Sequence, residues 1–135
     1  MLVVDASVVV SALAGVGDDG VWSNAMLLAG PLCAPHLLPV EVASVLRRAA
    51  ASQDISADVA SLAFAEMLDL RVELYPFAPL AVRVWELRDS VRCYDAWYVA
   101  LAELLGAPVV TLDRRLATSP GPRCEFMTPA TAGSS

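Results

Sequence analysis

Two aspartates in this chain each follow a short apolar run, a pattern that can place carboxylates at one edge of a sheet. Asp5 follows Leu2–Val4, and Asp113 ends the run Val109-Val110-Thr111-Leu112. Both runs are too short for helices and too apolar for exposed loops, so we predict two buried parallel strands. Ligands in open parallel sheets bind beyond the carboxyl ends of the strands. For each aspartate taken alone, capping of the next helix is the alternative.

Two further acids lie at the beginnings of predicted helices. Glu41 lies in a first helical turn, where the helix dipole alone can favour a glutamate. A capping box is incomplete there, because Leu38 has no hydroxyl. Asp95 opens the segment 94–105, which is otherwise almost wholly apolar. Since an unpaired buried charge is costly, Asp95 is expected to cap the helix, to pair with Arg92 or to bind a metal.

The types of basic residue present exclude several catalytic mechanisms. All nine are arginines, lysine is absent, and His36 is the only histidine. Schiff-base chemistry, a lysine general base and the Walker-A phosphate loop are therefore excluded. Arginine keeps its proton and can only bind or stabilise charge, so proton transfer and metal binding fall mainly to the carboxylates. We expect His36 in a loop or at the start of a helix, not as a ligand or base.

The net charge of −6 argues against a nuclease, because nucleic-acid binding normally shows as a basic footprint. Without the four acids described above, however, the balance is only −2. Arg47-Arg48 and Arg114-Arg115 then become candidate phosphate contacts, with an ordinary solvated surface as the alternative.

Length and hydropathy predict one domain of 135 residues with ample apolar content, 57%, for a core. No run reaches the roughly 18 uncharged apolar residues that a spanning helix needs, and the start lacks a basic signal segment. We therefore expect a cytoplasmic protein without a membrane partner.

Cys33, Cys93 and Cys124 show no Cys-x-x-Cys spacing and are expected to be buried, reduced thiols.

Predicted strands and helices alternate, which indicates a parallel sheet with helices on both faces. Strands are predicted at residues 2–5, 32–34, 72–75 and 109–113, with a weak one near 124–127. Helices are predicted from the N-cap Ser7 to 14, at 21–29, from Pro39, from the N-cap Ser56 to 70, at 79–90 and 94–105, and briefly after 113. The tail from Thr128 is expected to be loose.

The chain resembles the PIN domain and, within it, the VapC-type toxins of bacterial toxin–antitoxin pairs. No single motif is specific to the family, but the four motifs in this order are. The resemblance extends roughly from residue 2 to residue 127. The matching segments are Val4-Asp5-Ala6-Ser7, Pro39-Val40-Glu41-Val42, Tyr94-Asp95-Ala96-Trp97-Tyr98-Val99-Ala100-Leu101-Ala102 and Val110-Thr111-Leu112-Asp113-Arg114-Arg115-Leu116.

This resemblance implies a three-layer PIN-like α/β fold, in which helices flank a short, central, mostly parallel sheet. The nuclease domain would span residues 1–127, with a flexible tail at 128–135. The implied catalytic and metal-binding residues are Asp5, Glu41, Asp95 and Asp113. Supporting hydroxyls would come from Ser7 and Thr111, and candidate RNA phosphate contacts from Arg92, Arg114 and Arg115.

The implied activity is that of a metal-dependent endoribonuclease toxin, held inactive by a cognate VapB-like antitoxin and forming homodimers. The resemblance alone favours RNA over DNA. Carboxylate oxygens suit Mg²⁺ or Mn²⁺. Two like charges ~5 Å apart repel by roughly 3 kcal/mol at an effective dielectric near 20, so the cluster needs a cation. We expect all four carboxyl groups to face one cleft, within reach of a bridging metal.

Three alternatives compete with this interpretation. A haloacid-dehalogenase-like phosphatase would use Asp5 as nucleophile, but Ser7 stands where its second acid belongs, and its lysine is missing. A receiver domain of the response-regulator type also needs a lysine. The third is a non-catalytic module whose acids only hold the basic tail of an antitoxin, in a complex that represses transcription.

Overall fold

The computed structural model describes residues 1–130, and strands and helices alternate along this part of the chain. A 3-10 turn over Ala78–Leu80 precedes α5. In chain order the elements are β1 (Leu2–Val4), α1 (Ala6–Ala14), α2 (Gly20–Leu27), β2 (Leu32–Pro35), α3 (Leu38–Ala51), α4 (Ala57–Asp69), β3 (Val72–Tyr75), α5 (Ala81–Glu86), α6 (Cys93–Leu105), β4 (Val109–Val110), α7 (Arg114–Ala117) and β5 (Phe126–Met127).

The strands form one sheet in the order β3-β2-β1-β4-β5, and each neighbouring pair is parallel. Val3 of β1 lies opposite Cys33 of β2 on one side and Val109 of β4 on the other. The chain first adds strands to one side of β1 and then to the other, so the topological switch lies between β1 and β4. Ligands bind outside the strand ends at such a switch. The predicted α/β fold is confirmed.

Helices cover this sheet because its central strands are apolar on both faces. Val3, Val4, Val109 and Val110 are at most 1% exposed, as expected for parallel strands buried between helical layers. Helix α1 packs against α2, α3 and α4, whereas α6 packs against α5, β1 and β2. The prediction that α6 is largely buried is confirmed, since Ala96 and residues 98–102 have little or no exposed surface.

Helix α1 begins earlier than predicted, and its cap is a different residue. Asp5 is the N-cap: its backbone is extended, and its side chain accepts a hydrogen bond from the Val8 N–H at 3.3 Å. Ser7 therefore lies inside the helix, where its hydroxyl donates to the Asp5 carboxylate at 2.5 Å and caps no N–H of α1. The predicted cap of α4 is confirmed, because Ser56 accepts from the Val59 N–H at 3.1 Å.

The predicted helix over residues 79–90 is shorter in the structure. It starts as the 3-10 turn and ends at Glu86, after which turns lead into α6. The Arg88 side chain donates to the Trp85 carbonyl at 2.8 Å and stacks on the Trp85 ring at 4.4 Å. The Arg88 N–H also bonds the Trp85 carbonyl, at 3.2 Å. This bond reaches back three residues, whereas an α-helical bond reaches back four, so the α-helix has ended here.

The cysteines differ in exposure, so the expectation of three buried thiols is wrong. All three are free, but only Cys33 is buried, while Cys124 is half-buried and Cys93 is exposed. Cys93 is the first residue of α6, where its side chain faces solvent rather than the core. His36 is exposed in a turn, as predicted.

The two strand ends that carry the aspartates are not equivalent. Asp5 directly follows β1, whereas β4 ends at Val110 and Asp113 lies three residues further on, as the N-cap of α7. Near the C-terminus, Pro129 is buried within the segment expected to be loose. Residues 131–135 of that tail lie outside the described residues. Within residues 1–130, no helix has the length and apolarity needed to cross a membrane.

Candidate active site

Four carboxylates from separate parts of the chain line one cavity of about 270 Å³. Asp5 lies at the end of β1, Glu41 in the first turn of α3, Asp95 in the first turn of α6 and Asp113 before α7. Ser7, Ser44, Arg48, Arg92 and Tyr98 complete most of the wall. The cavity opens at the carboxyl ends of β1 and β4, where the sheet order places the switch point.

Asp5 is the most heavily hydrogen-bonded of the four acids. One carboxylate oxygen accepts from the Ser7 hydroxyl and the Val8 N–H, and the other accepts from the Thr111 hydroxyl. Ser7 also accepts from the Leu112 N–H at 3.1 Å. These bonds join the end of β1 to the segment after β4, and they orient the Asp5 carboxylate across the switch point.

Asp113 has one oxygen occupied and one directed elsewhere. Its Oδ1 accepts from the N–H groups of Arg115 and Leu116 at 3.0 and 3.2 Å, which caps α7. The capping alternative for Asp5 and Asp113 is therefore observed in both residues. Capping uses only one oxygen of Asp113, and Oδ2 accepts no hydrogen bond within residues 1–130. That oxygen is available to a ligand of the cavity.

Glu41 is held by a residue that the sequence analysis did not identify. The Tyr98 hydroxyl donates to Glu41 Oε1 at 2.6 Å, and the Tyr98 side chain is 1% exposed. Tyr98 follows Asp95 by three residues, so both lie on the same face of α6. The spacing of three residues could have indicated this role, because a tyrosine one helical turn after Asp95 lies on the side of the helix that faces the acids.

Asp95 forms an ion pair with Arg92, which is one of the three roles expected for it from the sequence. Arg92 Nε lies 3.3 Å from Asp95 Oδ2, and the arginine side chain is 79% exposed. An ion pair this exposed contributes little stability. The pair therefore leaves Asp95 available to other cations.

Burial raises the pKa of three of these carboxyl groups. For Asp5 it raises the pKa to about 6, against the lowering effect of its hydrogen bonds, and the charge of Asp95 adds to the rise. For Glu41 burial is again the main cause, with Asp95 adding and Tyr98 and Arg92 opposing. The pKa of Asp95 is raised by burial and by Asp113, while Arg92 lowers it. The charge of Asp95 thus makes Asp5 and Glu41 harder to ionise, and the charge of Asp113 does the same to Asp95.

The donor set fits a hard, oxygen-preferring cation such as Mg²⁺ or Mn²⁺, although it does not form a closed cage. Among the described residues, no three acidic, histidine or cysteine side chains stand close enough to enclose a metal ion. The expectation that all four carboxylates lie within bridging reach is therefore not met, even though they share one cavity. Mg²⁺ usually keeps several waters and binds through one or two carboxylates, so an open set of acids suits it.

A larger cavity, of about 470 Å³, lies elsewhere, beside the end of α6. Its acid Glu103 already accepts from Arg83 Nε at 2.7 Å, Arg83 Nη2 at 3.1 Å and the Arg123 N–H at 2.7 Å. That carboxylate is neutralised within the protein, so we do not assign chemistry to this cavity.

Comparisons with known proteins identify the family of this chain. The family model of the PIN domain matches residues 2–120. This chain belongs to the PIN-domain family. Ribonuclease VapC1 of Mycobacterium tuberculosis is 44% identical over 125 residues, which cover 92% of this PIN domain chain and 94% of the relative. Ribonuclease VapC9 of the same species is 40% identical over 124 residues, with 92% and 94% covered. The PIN domain is thus of the VapC type.

Solved structures share the fold of this PIN domain. A protein from Pyrobaculum aerophilum has a TM-score of 0.69 at 24% identity, covering 93% of this chain and 81% of that one. Mycobacterium tuberculosis VapC20, described as a sarcin-ricin loop cleaving toxin, has a TM-score of 0.63 at 17% identity, covering 81% and 87%. VapBC2 from Rickettsia felis, solved with a DNA fragment from its promoter, scores 0.66 at 14% identity, covering 96% and 98%.

The arginines considered from sequence occupy different places in this PIN domain. Arg48 and Arg92 line the cavity of the four acids, and Arg92 and Arg115 line a second cavity next to it. Arg47 instead borders a groove between α3 and α4. Arg114 donates to the Pro129 carbonyl at 2.8 Å, which anchors the segment after β5.

Proposed function

We propose that this PIN domain is an endoribonuclease toxin that hydrolyses RNA phosphodiester bonds with Mg²⁺ or Mn²⁺. The observation that carries the proposal is the single cavity at the β1–β4 switch point, into which four separate elements bring Asp5, Glu41, Asp95 and Asp113. The VapC relatives, named as ribonucleases, support cleavage of RNA in particular. A cytoplasmic location stays a prediction of the sequence.

One or two of the four acids would bind the cation directly, and the others would add negative charge to the same cavity. Three of the four have a raised pKa, because burial and the charges of neighbouring acids disfavour the ionised form, and a divalent cation would offset that cost. When bound, Mg²⁺ or Mn²⁺ would lower the pKa of a water molecule and balance charge that develops on the phosphate oxygens.

The surrounding side chains orient the acids. Ser7 and Thr111 donate to Asp5, and Tyr98 donates to Glu41. Such outer hydrogen bonds fix the direction of a carboxylate before it meets its ligand. The chain has no lysine, and its one histidine is exposed in a turn, so neither residue type supplies a proton acceptor here.

We further propose that a cognate VapB-like antitoxin holds the enzyme inactive and that the protein forms homodimers. The VapC relatives and the structural likeness to a VapBC assembly support a toxin–antitoxin pair. The acidic cavity, with an excess of carboxylates over arginines, would attract a basic segment of such a partner.

The test replaces site acids by amides and measures RNA cleavage in Mg²⁺, in Mn²⁺ and in chelator. We expect Asp5→Asn and Asp95→Asn to reduce cleavage by roughly 100-fold or more, because each removes negative charge from the cation site. Asp69→Asn is the matched control, since Asp69 is exposed at the end of α4 and lines none of the site. Undiminished cleavage in chelator, or by Asp5→Asn, would disprove the proposal.

Antitoxin binding separates the enzyme from a module that only binds a partner. Asp5→Asn is expected to co-purify with the co-expressed antitoxin as wild type does, because the fold around β1 keeps an oxygen acceptor at this position. A wild-type protein that cleaves no RNA, together with an Asp5→Asn variant that loses the antitoxin, would favour a purely partner-binding role for the acids.

A further inference from the structure

Two cavities adjoin at the wall formed by Asp95 and Asp113. The first holds the four acids, and the second, of about 410 Å³, shares Asp95, Asp113 and Arg92 with it. Ser90, Arg115 and Ser119 line the far side of the second cavity. An RNA strand longer than one nucleotide would therefore have space on both sides of Asp95 and Asp113.

On the side of the acid cavity, two adjacent arginines line different cavities. Arg48 lines the acid cavity, and its Nη1 donates to the Ser44 hydroxyl at 3.2 Å, one helical turn earlier. Arg47 borders the groove between α3 and α4, away from the acids. The two residues have the same charge and lie in the same helix, so they differ chiefly in the direction of the side chain.

On the second side, α7 separates another adjacent pair. Arg115 lines the second cavity, whereas the Arg114 guanidinium is bonded to the Pro129 carbonyl. Ser90 and Ser119 also line this side, although the Ser119 hydroxyl already donates to the Arg115 carbonyl at 2.7 Å. This cavity wall therefore combines the charge of Arg115 with the Ser90 hydroxyl, and arginine and serine side chains commonly contact phosphates.

Arg92 lies between the two sides and is shared by both cavities. It is the N-cap residue of α6, and its side chain makes no capping hydrogen bond among the described residues. A cation at a helix N-terminus also opposes the helix dipole. The position therefore disfavours arginine on grounds of helix stability, which points to a role in binding.

We propose that the RNA strand lies across both cavities, with the phosphate to be cleaved at the Asp95–Asp113 wall and flanking phosphates on either side. Arg48 contacts the phosphate on the acid-cavity side, and Arg92 and Arg115 contact the phosphate on the other side. This assignment rests on the proposed function. A cation held by Asp95 or Asp113 would reduce the repulsion between this wall and the strand, and it would leave Arg92 free to contact a phosphate.

The test measures binding of a short fluorescent single-stranded RNA, since phosphate contacts do not depend on the base sequence. Arg48→Ala and Arg115→Ala are compared with Arg47→Ala and Arg114→Ala, all in an Asp5→Asn background with Mg²⁺. We expect the first two to weaken binding roughly fivefold. Each should also reduce the slope of log Kd against log salt by about 0.7, the value for one phosphate of a single strand.

The control variants, Arg47→Ala and Arg114→Ala, should stay within about twofold of the background protein and keep its salt slope. Equal effects within each pair would overturn the two-sided assignment and indicate a diffuse electrostatic surface. In the wild-type background, Arg48→Ala and Arg115→Ala should raise KM more than they lower kcat. Unchanged KM in both variants would also overturn the assignment.

The two proposals can fail separately. Cleavage by the Asp5→Asn background, or by wild type in chelator, would reject the metal-dependent nuclease, and the arginine comparison could still be read as binding. Conversely, metal-dependent cleavage with no difference between Arg48 and Arg47, or between Arg115 and Arg114, would reject only the strand path.

Discussion

Tyr98 is the residue whose removal tests most directly how the acids are oriented. Its buried hydroxyl makes a 2.6 Å hydrogen bond to Glu41 Oε1, and it joins α6 to α3 inside the cavity wall. Glu41 also has a second oxygen, Oε2, that accepts no hydrogen bond within residues 1–130. The tyrosine thus directs one oxygen and leaves the other for a cation.

Tyr98→Phe is expected to weaken cation binding, and so to raise the Mg²⁺ concentration that catalysis needs, without unfolding the protein, because phenylalanine fills the same space. Outer-shell partners of metal ligands typically affect metal affinity by 10- to 100-fold. We expect the Mg²⁺ concentration for half-maximal RNA cleavage to rise roughly tenfold, with kcat at saturating Mg²⁺ nearly unchanged. Tyr94→Phe, on the exposed side of the same helix, is the control. An unchanged Mg²⁺ titration for Tyr98→Phe would show that the hydrogen bond has no part in cation binding.

At the scale of elements, α6 both lines the site and packs in the core. Its first turn holds Asp95, its next turn holds Tyr98, and its other face lies in the core against β1 and β2. Gly106 ends the helix with φ of +63°, a conformation that glycine adopts readily. The C-terminal end is thus well formed, whereas the N-terminal end has an arginine in place of a capping side chain.

Arg92→Ser should therefore stabilise the protein while it weakens RNA binding. Serine at an N-cap is worth about 1 kcal/mol relative to residues that cannot cap. For a domain of this size, we expect Tm to rise by about 2–4 °C in differential scanning calorimetry, since the exposed ion pair with Asp95 contributes little. Arg71→Ser, at an exposed position that lines neither cavity, is the control for general loss of positive charge. A lower Tm for Arg92→Ser would show that Arg92 stabilises the fold rather than serving the site.

At the scale of the whole molecule, the Arg83–Glu103 pair ties α5 to α6 and to the loop before β5. The Glu103 side chain is 15% exposed and accepts hydrogen bonds from Arg83 and from the Arg123 N–H. Burial alone would raise the pKa of Glu103, but the hydrogen bonds and charge of Arg83 outweigh it, and the net effect lowers the pKa. The folded state therefore favours the ionised carboxylate.

The sign of the pH effect follows from this lowered pKa. The contribution of Glu103 to the free energy of unfolding is present above its unfolded pKa of about 4.5 and is lost as the pH falls through the lower, folded value. We expect Glu103→Gln to lower the free energy of unfolding by roughly 2 kcal/mol at pH 7, measured in urea, and by much less near pH 3. Glu86→Gln is the control, since Glu86 is 58% exposed and lies 3.5 Å from Arg83. A pH-independent difference would refute the ion-pair explanation.

The sequence by itself determined the order and type of the elements and the four acids. Apolar runs of strand length before Asp5 and Asp113, the Ser56 cap and the stop at Gly106 are local signals. They can be read because backbone geometry and hydrogen-bond capping depend on residues close together in the chain. Errors of local interpretation, such as Ser7 as the cap of α1, arose where two neighbouring residues could both cap.

Only the tertiary structure decided which side chains meet. Tyr98 and Glu41 are 57 positions apart, and Thr111 and Asp5 are 106 apart, so their hydrogen bonds exist only once helices pack on the sheet. The same packing directs Arg48 towards the acids and Arg47 away from them, although sequence treats the two alike. The chain thus encodes the residues of the site locally, whereas strand order and helix packing decide their distances and partners.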